Sequence, residues 1–393
     1  MTSVRIGIIG ASGRGDIAAH WQDPAGGSVV TAAADVSTDA LDRFREKVNP
    51  DGFVTTDHRE LLARDDVDAV AVLSPDFTHE DYVCDAFAAG KHVFTEKPMA
   101  ITTAGCDRML QAWVDSGRHF MIGFNMRYMN LFRVMKEAVD SGFIGEVKAV
   151  WVRHFVGPGG NFYYHDWHAN SRYSTGLLLQ KASHDLDMIH WLTGRYTVRV
   201  AASGGLDYYG GDKPDDLHCP DCAERDTCVE YHHEERGAAN TMDLCVFRRE
   251  VDVEDSSIVM MELEGGIRAS YMQCHFAPDY CRNYTLIGTE GRIENLDDGS
   301  KVIIRLRDRS NRWRNLAHHE LAVKPAKGGH GGADPLICRD FVELVRDGKR
   351  PLATPLAGRM SVAAGCAATW SLRNGWQPVD IPALPEALRE VVY

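Results

Sequence analysis

The sequence predicts an α/β protein with a doubly wound parallel sheet at its N-terminal end, followed by an α+β domain with a large, mostly antiparallel open sheet. The chain has 393 residues, more than one hydrophobic core usually supports. Residues 4–124 alternate short apolar runs with helical segments, and after Asn125 long strand candidates follow one another at hairpin-like spacing. We therefore expect a first domain at 1–124 and a second at 125–393.

The first domain is marked by apolar, β-rich runs that each precede a segment of helical period. Near-continuous apolar strands separated by helices are typical of a parallel sheet covered on both faces. In order along the chain the runs are VRIGIIG, SVVTAAAD, VDAVAVLS, KHVFTE and HFMIGF.

The second domain opens with a helix, RYMNLFRVMKEAVDSGFIG, which we expect to end at Gly142. Two further helices are predicted near the C-terminus, in ADPLICRDFVELVRDG and GRMSVAAGCAATWSLRNG, each stopped by glycine. Two long stretches interrupt this domain, the aromatic GPGGNFYYHDWHANSRYSTG and a cysteine-rich insertion at about 205–245. The strand candidates are EVKAVWVRHFV, VRVAASGG, SSIVMMELEGG, IRASYMQCHFA and YTLIGTEGRIEN.

The composition indicates a globular protein with a small-molecule ligand. Lys and Arg number 43 against 56 Asp and Glu, a formal charge of −13, which disfavours nucleic acid and anionic membranes as partners. No apolar run reaches the roughly eighteen residues of a membrane helix, and MTSVRIGIIG does not resemble a secretory signal. We expect a cytoplasmic protein whose ten cysteines are reduced thiols or metal ligands.

A glycine-rich turn, GIIGASGRGDIAAH, follows the first strand. Glycines there let the backbone turn tightly into a helix whose free N–H groups can hold a pyrophosphate. Ser12 stands at the middle glycine position of the usual pattern, and an ordinary turn is the alternative interpretation. The residues predicted to contact a dinucleotide here are Gly10, Ser12, Gly13, Arg14 and Gly15.

An acidic residue ends the second strand. Asp35 lies twenty residues beyond Gly15, where a carboxylate can accept hydrogen bonds from both hydroxyls of an adenosine ribose. The carboxylate would repel a 2′-phosphate, and the DVST stretch offers no arginine to neutralise one. NAD is therefore preferred over NADP.

Two polar groups follow later strands of the first domain. In an open parallel sheet, ligands bind beyond the carboxyl ends of the strands, and both groups fall there. For Lys97 the alternative is a surface lysine in a turn. The residues assigned to the cofactor on this ground are Ser74, Pro75 and His79 at and beyond the end of VDAVAVLS, and Glu96 and Lys97 at and beyond the end of KHVFTE.

The segment LLLQKASHDLDMIHW at 177–191 predicts a helix with two faces. One face carries Gln180, His184, Asp187 and Trp191 at spacings of four, three and four, and an apolar stripe can pack on a core. A solvated polar face with a satisfied histidine is the alternative.

Taken together, these motifs resemble the glucose-fructose oxidoreductase and inositol dehydrogenase family, Gfo/Idh/MocA. The glycine turn, SPDFTH, AGKHVFTEKP, GFNMRY, the helix with His184, and LIGTEGRIE occur in the family's order and spacing over nearly the whole chain. The resemblance implies a Rossmann domain, a bound nicotinamide cofactor, and hydride transfer at a ring hydroxyl of a sugar, glycoside or cyclitol. It also implies a homodimer or homotetramer formed through the second domain's sheet.

Position by position, the resemblance makes Lys97 the active-site lysine and His184 the group that exchanges a proton with the reacting hydroxyl. Asp187 matches a helical aspartate. Many members have an aspartate where this chain has Gln180, which can hydrogen-bond a hydroxyl but cannot take its proton. More of the acid–base chemistry would therefore fall on His184 and Lys97.

Substrate recognition is expected from the second domain. Asn125, Arg127 and Tyr128 follow the last strand of the first domain, with Asn125 in reach of the cofactor as well. His165 and Trp167 lie in the aromatic loop before the helix and could cover a polyol. A locally packed, exposed loop is the alternative.

The cysteines of the insertion form a possible structural zinc site. CPDCAERDTC contains one C-x-x-C pair, and a fourth ligand could be Cys245 or a nearby histidine among His218, His232 and His233. An iron–sulfur cluster and plain reduced thiols are the alternatives. The predicted ligands are Cys219, Cys222, Cys228 and Cys245.

The functional hypothesis is an NAD-dependent dehydrogenase of sugars or cyclitols. A second enzymatic hypothesis keeps NAD bound and uses transient oxidation to break a glycosidic or C–O bond without net redox change. A third is a non-catalytic sensor of NAD or sugar, which would not need both Lys97 and His184.

Overall fold

The computed structural model describes residues 3–232, 243–296, 299–308 and 315–389. The chain forms two compact units. Unit 1 comprises Met1–Met129, Lys327–Val362 and Pro382–Tyr393, and unit 2 comprises Asn130–Ala326 and Ala363–Ile381. The first boundary lies five residues beyond the predicted one at 124, whereas the return of two C-terminal segments to unit 1 is not part of the sequence-based division.

The regular elements are numbered along the chain. The strands are β1 (Val4–Ile9), β2 (Ser28–Ala34), β3 (Phe53–Thr55), β4 (Ala69–Val72), β5 (His92–Thr95), β6 (Phe120–Ile122), β7 (Val147–Val156), β8 (Thr197–Gly205), β9 (Ser256–Leu263), β10 (Ile267–Cys274), β11 (Tyr280–Gly288), β12 (Gly291–Asn295), β13 (Lys301–Leu306), β14 (His319–Ala322) and β15 (Val379–Asp380). The helices are α1 (Thr38–Lys47), α2 (His58–Leu62), α3 (His79–Ala88), α4 (Thr103–Ser116), α5 (Asn130–Asp140), α6 (Ser171–Ser174), α7 (Leu177–Gln180), α8 (Ser183–Thr193), α9 (Asp334–Asp347) and α10 (Pro355–Arg373).

Unit 1 is built on a six-stranded parallel sheet in the order β3-β2-β1-β4-β5-β6. All four residues of β4 and all three of β6 are buried, as expected for strands covered on both faces. The predicted doubly wound sheet is confirmed. Its strand order reverses between β1 and β4, so the crevice for a ligand lies at their carboxyl ends.

An aromatic core explains why the segment with α9 belongs to unit 1. Trp21 and Phe94 meet edge to face at 5.3 Å, and Phe341 of α9 packs on both rings at 6.0 and 5.6 Å. The Trp21 indole also donates to the Cys338 carbonyl at 3.1 Å. The two contacts of Phe341 join residues more than 240 positions apart, which local sequence patterns do not show.

Unit 2 contains a nine-stranded sheet in the order β14-β13-β12-β11-β7-β10-β9-β8-β15. Its neighbouring strands are antiparallel except β7 and β10, which run parallel. Burial alternates along β9 and β10, so one face of the sheet is covered and the other is open. The predicted, mostly antiparallel open sheet is confirmed.

The single helix expected at 177–191 is instead two helices, α7 and α8. Ala182 N–H donates to the Leu177 carbonyl at 3.0 Å, one residue further back than in an α-helix, and the Ser183 hydroxyl donates to the Gln180 carbonyl. The turn is widened there, so Gln180 does not continue the stripe of His184.

Within the described ranges, no helix combines the length and apolar content needed to cross a lipid bilayer.

Candidate active site

One edge of the unit 1 sheet gathers most of the predicted cofactor residues. Each lies at or just beyond the carboxyl end of a strand, and parallel strands present these ends along the same edge. The glycine turn follows β1, Asp35 follows β2, Ser74 follows β4, Lys97 follows β5 and Asn125 follows β6.

The glycine turn has the close backbone packing that only glycine permits. Gly10 has φ +93°, and a Cβ there would come within 2.6 Å of the Ser74 backbone nitrogen. A Cβ on Gly15 would approach the Gly10 carbonyl to 2.8 Å. Gly13 (φ +54°) opens a 3₁₀ helix, Gly13–His20, where the sequence predicted an ordinary helix. A turn this tight can bring backbone N–H groups close to a phosphate.

Asp35 is bonded to the glycine turn. One carboxylate oxygen accepts from the backbone N–H groups of Ala11 and Ser12 at 2.8 and 3.2 Å, and from the Ser12 hydroxyl at 3.2 Å. The other accepts from Ser37 N–H at 2.8 Å. The side chain is half-buried. The carboxylate therefore lies directly against the glycine turn.

Arg14 is held by carboxylates on two other segments of unit 1. Its guanidinium donates to Glu96 at 2.6 Å and to both carboxylate oxygens of Asp334 at 2.9 and 3.0 Å. Glu96 and Asp334 raise the Arg14 pKa despite burial. His330 and Arg14 in turn hold the Asp334 pKa well below its usual range, although burial opposes this. The Arg14 guanidinium could contact a cofactor only by giving up one of these ion pairs. The predicted contact of Arg14 with a dinucleotide is therefore assigned to its backbone N–H.

His79 is fully buried, and each ring nitrogen is bonded to the backbone. Nδ1 lies 2.8 Å from the Pro98 carbonyl and Nε2 lies 2.9 Å from the Ser74 carbonyl. The imidazole thus ties the turn after β4 to the turn that carries Lys97. The His79 side chain therefore holds these two turns together and is not exposed to a ligand.

The turn after β5 presents Lys97. Its backbone N–H donates to Glu96 Oε2 at 3.1 Å, so Glu96 binds both this turn and Arg14. Asn125 begins the 3₁₀ turn after β6, is buried, and its Oδ1 has no hydrogen-bond partner among the described residues. A buried polar atom without a partner is costly in a folded protein, which makes Asn125 a candidate for contacting a bound group.

Arg127 and Tyr128, predicted to bind substrate, make bonds inside unit 1. Arg127 donates to the Leu352 carbonyl at 2.6 Å, and the Tyr128 hydroxyl donates to Asp340 at 2.5 Å. Both residues are buried, and burial raises the Tyr128 pKa well above its usual value. These contacts brace the end of β6 against α9 and the segment that follows it.

In unit 2, α8 carries His184 and Asp187. His184 is partly exposed, whereas Asp187 and Gln180 are almost fully buried. The predicted polar stripe is therefore not a solvated face.

The sequence reasoning missed the buried network around Asp185, the residue after His184. Asp185 accepts from Arg282 at 2.9 Å through both oxygens, and it bonds to His154, Tyr271 and Tyr284. Asp185 has no exposed surface, so it cannot form an ion pair at the protein surface. The partners come from β7, β10 and β11, so no local spacing signals the network.

The Asp185 network has strong electrostatic consequences. Burial alone would raise the Asp185 pKa, but the Arg282 guanidinium and His154 hold it well below its usual value. Burial lowers the His154 pKa to about 3, aided by Arg282. The network therefore joins a carboxylate, a guanidinium and a neutral imidazole, and it anchors α8 to the inner face of the sheet.

A second group of polar side chains lies on the inner face of β7 and β10. His154 Nε2, Gln273 Nε2 and both ring nitrogens of His275 are buried without hydrogen-bond partners among the described residues. Burial also lowers the His275 pKa well below its usual value. Both imidazoles are therefore neutral at physiological pH and lie out of reach of solvent.

The aromatic loop before α7 contains both buried and partly exposed side chains. His165 is 1% exposed, and its Nδ1 lies 2.6 Å from the Leu244 carbonyl. Trp167 is partly exposed and stacks on His168 at 3.7 Å, while His168 pairs with Asp166 at 2.6 Å. Trp167 therefore keeps an accessible aromatic surface, and His165 does not.

All ten cysteines are free thiols. In the part of the chain that is described, no group of three or more His, Cys, Asp or Glu side chains is already arranged around a point that could hold a metal ion. The zinc prediction thus has no preformed cage in this arrangement, and one of its alternative ligands, His233, lies outside the described residues.

Comparison with known proteins identifies relatives over the full fold. Myo-inositol 2-dehydrogenase of Thermotoga maritima is 28% identical over 373 residues, covering 94% of this chain and 97% of the relative. An oxidoreductase domain protein of Kribbella flavida superposes with a TM-score of 0.78 at 21% identity, covering 98% and 100% of the two chains. Levoglucosan dehydrogenase in complex with NADH and levoglucosan has a TM-score of 0.75 at 19% identity, covering 97% and 100%.

Family models match both parts of the chain. Residues 4–124 match the oxidoreductase family with an NAD-binding Rossmann fold, and residues 136–381 match the C-terminal alpha/beta domain of the same family. Together the matches span both structural units. The chain therefore belongs to the Gfo/Idh/MocA family of NAD-binding oxidoreductases.

Proposed function

We propose that the protein is an NAD-dependent dehydrogenase that transfers a hydride between a ring hydroxyl of a sugar, glycoside or cyclitol and nicotinamide. The observation that carries the proposal is the alignment of the glycine turn, Asp35, Lys97 and Asn125 along one carboxyl edge of the unit 1 sheet. Relatives named as dehydrogenases of myo-inositol and levoglucosan support an alcohol substrate.

Lys97 and His184 are the proposed acid–base pair. Bound NAD supplies the hydride acceptor. Oxidation of the alcohol also releases the hydroxyl proton, and an imidazole or an amine held against that oxygen can receive it. Glu96 and His79 position Lys97 by binding its turn on both sides. Asp185 positions His184 by fixing α8 to the sheet.

NAD is proposed as the cofactor in preference to NADP. The Asp35 carboxylate lies against the glycine turn, so its negative charge would oppose a phosphate on the neighbouring ribose. Arg14, the arginine of the glycine turn, is already paired with Glu96 and Asp334. Its positive charge is therefore not available to neutralise that phosphate.

A neutral polyol is the proposed substrate class. The two relatives with a substrate in their names act on myo-inositol and levoglucosan, which are both uncharged ring compounds with several hydroxyl groups. Partly exposed Trp167 offers an aromatic surface to the C–H face of a ring.

The test is turnover of a panel of cyclitols, neutral sugars, glycosides and uronic acids with NAD or NADP, following reduced cofactor by absorbance and products by mass spectrometry. We expect reduced NAD in proportion to an oxidised neutral product. Product without accumulated reduced cofactor would instead support redox-neutral bond cleavage through transient oxidation. Tight NAD binding with no product from any compound would support a sensor.

The roles of Lys97 and His184 are tested by Lys97→Met and His184→Asn. Each should lower kcat by about 10²-fold or more, the usual contribution of a positioned acid or base, with NAD affinity by calorimetry changed little. The matched controls are Lys47→Met and His319→Asn, both exposed. Equal losses of turnover and NAD affinity in the first pair would contradict the assigned roles.

A further inference from the structure

A glycine-rich segment just before α9, residues 328–332 with the sequence GGHGG, belongs to unit 1. Its one side chain is that of His330, which has φ +50°, a left-handed backbone conformation that residues other than glycine rarely adopt. A Cβ on Gly331 would lie 3.6 Å from Met129 Cγ, so the segment lies against the chain that follows β6. The His330 side chain is 50% exposed. Specific contacts must therefore hold this residue in its strained conformation.

Two side chains of unit 1 fix the imidazole through one ring nitrogen. His330 Nδ1 lies 3.2 Å from Arg14 Nη1 and 3.0 Å from a carboxylate oxygen of Asp334. Arg14 belongs to the glycine turn after β1, and Asp334 begins α9. The other ring nitrogen, Nε2, has no hydrogen-bond partner among the described residues. Nε2 is therefore the atom of this side chain that is available to a ligand.

The imidazole is linked by contacts to the turn that presents Lys97. The Arg14 guanidinium, which contacts His330, also donates to Glu96 Oε1 at 2.6 Å. The second oxygen of Glu96 accepts from the Lys97 backbone N–H at 3.1 Å. His330 therefore lies at the carboxyl edge of the sheet, where open parallel sheets bind their ligands.

This location corresponds to the nicotinamide half of the proposed cofactor. The diphosphate is expected at the glycine turn, and the nicotinamide is expected beside Lys97, where hydride transfer is proposed. His330 is anchored on the Arg14 side chain, which extends from the glycine turn to the carboxylate beside Lys97. The ribose that joins the diphosphate to the nicotinamide is therefore the group that we expect next to His330.

A ribose hydroxyl suits Nε2 in either tautomer of the imidazole. When Nδ1 accepts from Arg14, Nε2 carries the proton and donates, and when Nδ1 donates to Asp334, Nε2 accepts. A hydroxyl can both donate and accept, whereas the oxygen of an ionised phosphate can only accept. We propose that His330 Nε2 binds a hydroxyl of the nicotinamide ribose. The proposal rests on the proposed NAD site and adds to it a residue from the C-terminal part of the chain.

The test compares two variants in their affinity for NAD, ADP-ribose and ADP, measured by calorimetry on the full-length protein. His330→Asn tolerates the left-handed backbone and keeps a polar atom near the position of Nδ1, but it is too short to replace Nε2. His330→Gln places its amide nitrogen near the position of Nε2.

We expect His330→Asn to weaken the binding of NAD and ADP-ribose about five- to tenfold, which corresponds to one hydrogen bond. ADP lacks this ribose, so its affinity should not change. His330→Gln should recover most of the loss. The matched control is His20→Asn, which changes an exposed histidine of unit 1 and should leave all three affinities unchanged.

A second measurement uses the unmodified protein and so does not depend on the folding of a variant. Diethyl pyrocarbonate acylates accessible imidazoles, and mass spectrometry of peptides locates the modified residues. ADP-ribose should protect His330 from modification, whereas ADP should not. Exposed His20 should react equally with and without either ligand.

Three results would overturn the proposal. Unchanged affinities of His330→Asn, with no protection of His330 by ADP-ribose, would remove the contact but leave the proposed function intact. Equal losses of ADP and ADP-ribose affinity, or equal losses in the two variants, would mean that His330 acts through the glycine turn. Failure of the unmodified protein to bind NAD would overturn the proposed function as well.

Discussion

Among single residues, Asp35 has the most direct link to cofactor choice. Its carboxylate accepts three hydrogen bonds from the glycine turn through one oxygen. A ribose approaching this residue would find the carboxylate already oriented, because the same bonds fix its position. The side chain therefore shapes the turn, and its contact with the cofactor is the part of the proposal that substitution can test.

Asp35→Asn should weaken NAD binding and reduce discrimination against NADP. Charge-assisted hydrogen bonds are worth about 1.5–3 kcal/mol, so the KM for NAD should rise about tenfold or more. The KM for NADP should rise less or fall, since the repulsion is gone. Steady-state kinetics with both cofactors measures the ratio, and Asp39→Asn on exposed surface of α1 is the control. An unchanged ratio would remove Asp35 from cofactor selection.

His92 should make the protein sensitive to acid. Its Nδ1 accepts from His119 N–H at 3.0 Å, and burial lowers its pKa from 6.5 to about 4, with the His119 ring adding to the effect. The unfolded chain binds the proton first, so the stabilisation is complete above pH 6.5 and is lost as pH falls toward 4.

The corresponding variant is His92→Gln, which can still accept the bond. Lowering the pH from 7 to 4.5 should reduce the free energy of unfolding of both proteins. The reduction should be about 1 kcal/mol smaller in the variant, after allowance for the partial solvent exposure of His92. Urea denaturation at each pH measures this, with exposed His20→Gln as the control. Identical pH dependence of the two proteins would contradict the assignment.

Residue types near the site were predictable, but their partners were not. The sequence identified Arg14, His79 and Tyr128 as polar groups at strand ends, and all lie there. It could not show that Arg14 pairs with Asp334 or Tyr128 with Asp340, because more than 200 residues separate each pair. Because of these contacts, the polar side-chain atoms of Arg14, His79 and Tyr128 hold segments of unit 1 together.

At the level of elements, the spacing of apolar residues and the local composition predicted most of the strands and helices. Alternating apolar and polar residues were sufficient to predict β9 and β10. Continuous apolar runs were sufficient to predict the strands of unit 1. The break between α7 and α8 was missed because Leu, Gln, Lys and Ala all favour helix, and the interruption comes from the Ser183 hydroxyl and a widened turn. The short edge strand β15 pairs at only two positions, which leaves little pattern to detect.

The attachment of α8 to its sheet depends on Asp185. In Asp185→Asn the Arg282 guanidinium would keep its buried position without its charge partner, and breaking a buried pair typically costs about 3–5 kcal/mol. We expect a loss of that size in the free energy of unfolding, measured by urea denaturation. The exposed pair of Arg199 and Asp380 is the comparison, and Asp380→Asn should lower the free energy of unfolding far less, because solvent screens that pair.

A double-mutant cycle separates the pair from general packing. Asp185→Asn with Arg282→Gln removes both charges and should recover part of the loss, giving a non-additive coupling of at least about 1 kcal/mol. Strictly additive losses would mean that Asp185 stabilises α8 through shape alone.

For the molecule as a whole, the open face of the unit 2 sheet is the proposed surface for self-association. An apolar row crosses β7, β9 and β10, with exposed fractions of 42% for Trp151, 50% for Ile258, 64% for Met260 and 40% for Met272. Contiguous exposed apolar side chains of this kind usually mark an interface. The homodimer or homotetramer expected from the family resemblance would cover this apolar row.

Met260→Lys/Met272→Lys should therefore dissociate the oligomer. Light scattering should give a dimer or tetramer for the unmodified protein, and the variant should require at least about tenfold higher concentration to associate. Trp376→Lys changes an exposed aromatic residue outside the apolar row and should have no effect. A monomeric unmodified protein, or an unaffected variant, would exclude this surface as the interface.

The parallel pairing of β7 with β10 bears on how the protein is made. The two strands are direct neighbours in the sheet, yet Ala149 pairs with Arg268 across more than a hundred residues. A ribosome must complete the whole intervening segment before β7 can find this partner, and β11, on its other side, is translated later still. Nascent β7 therefore emerges with both edges unpaired, the state in which strands aggregate most readily. A lower growth temperature, which weakens the hydrophobic association of exposed strands, should accordingly raise the yield of native protein.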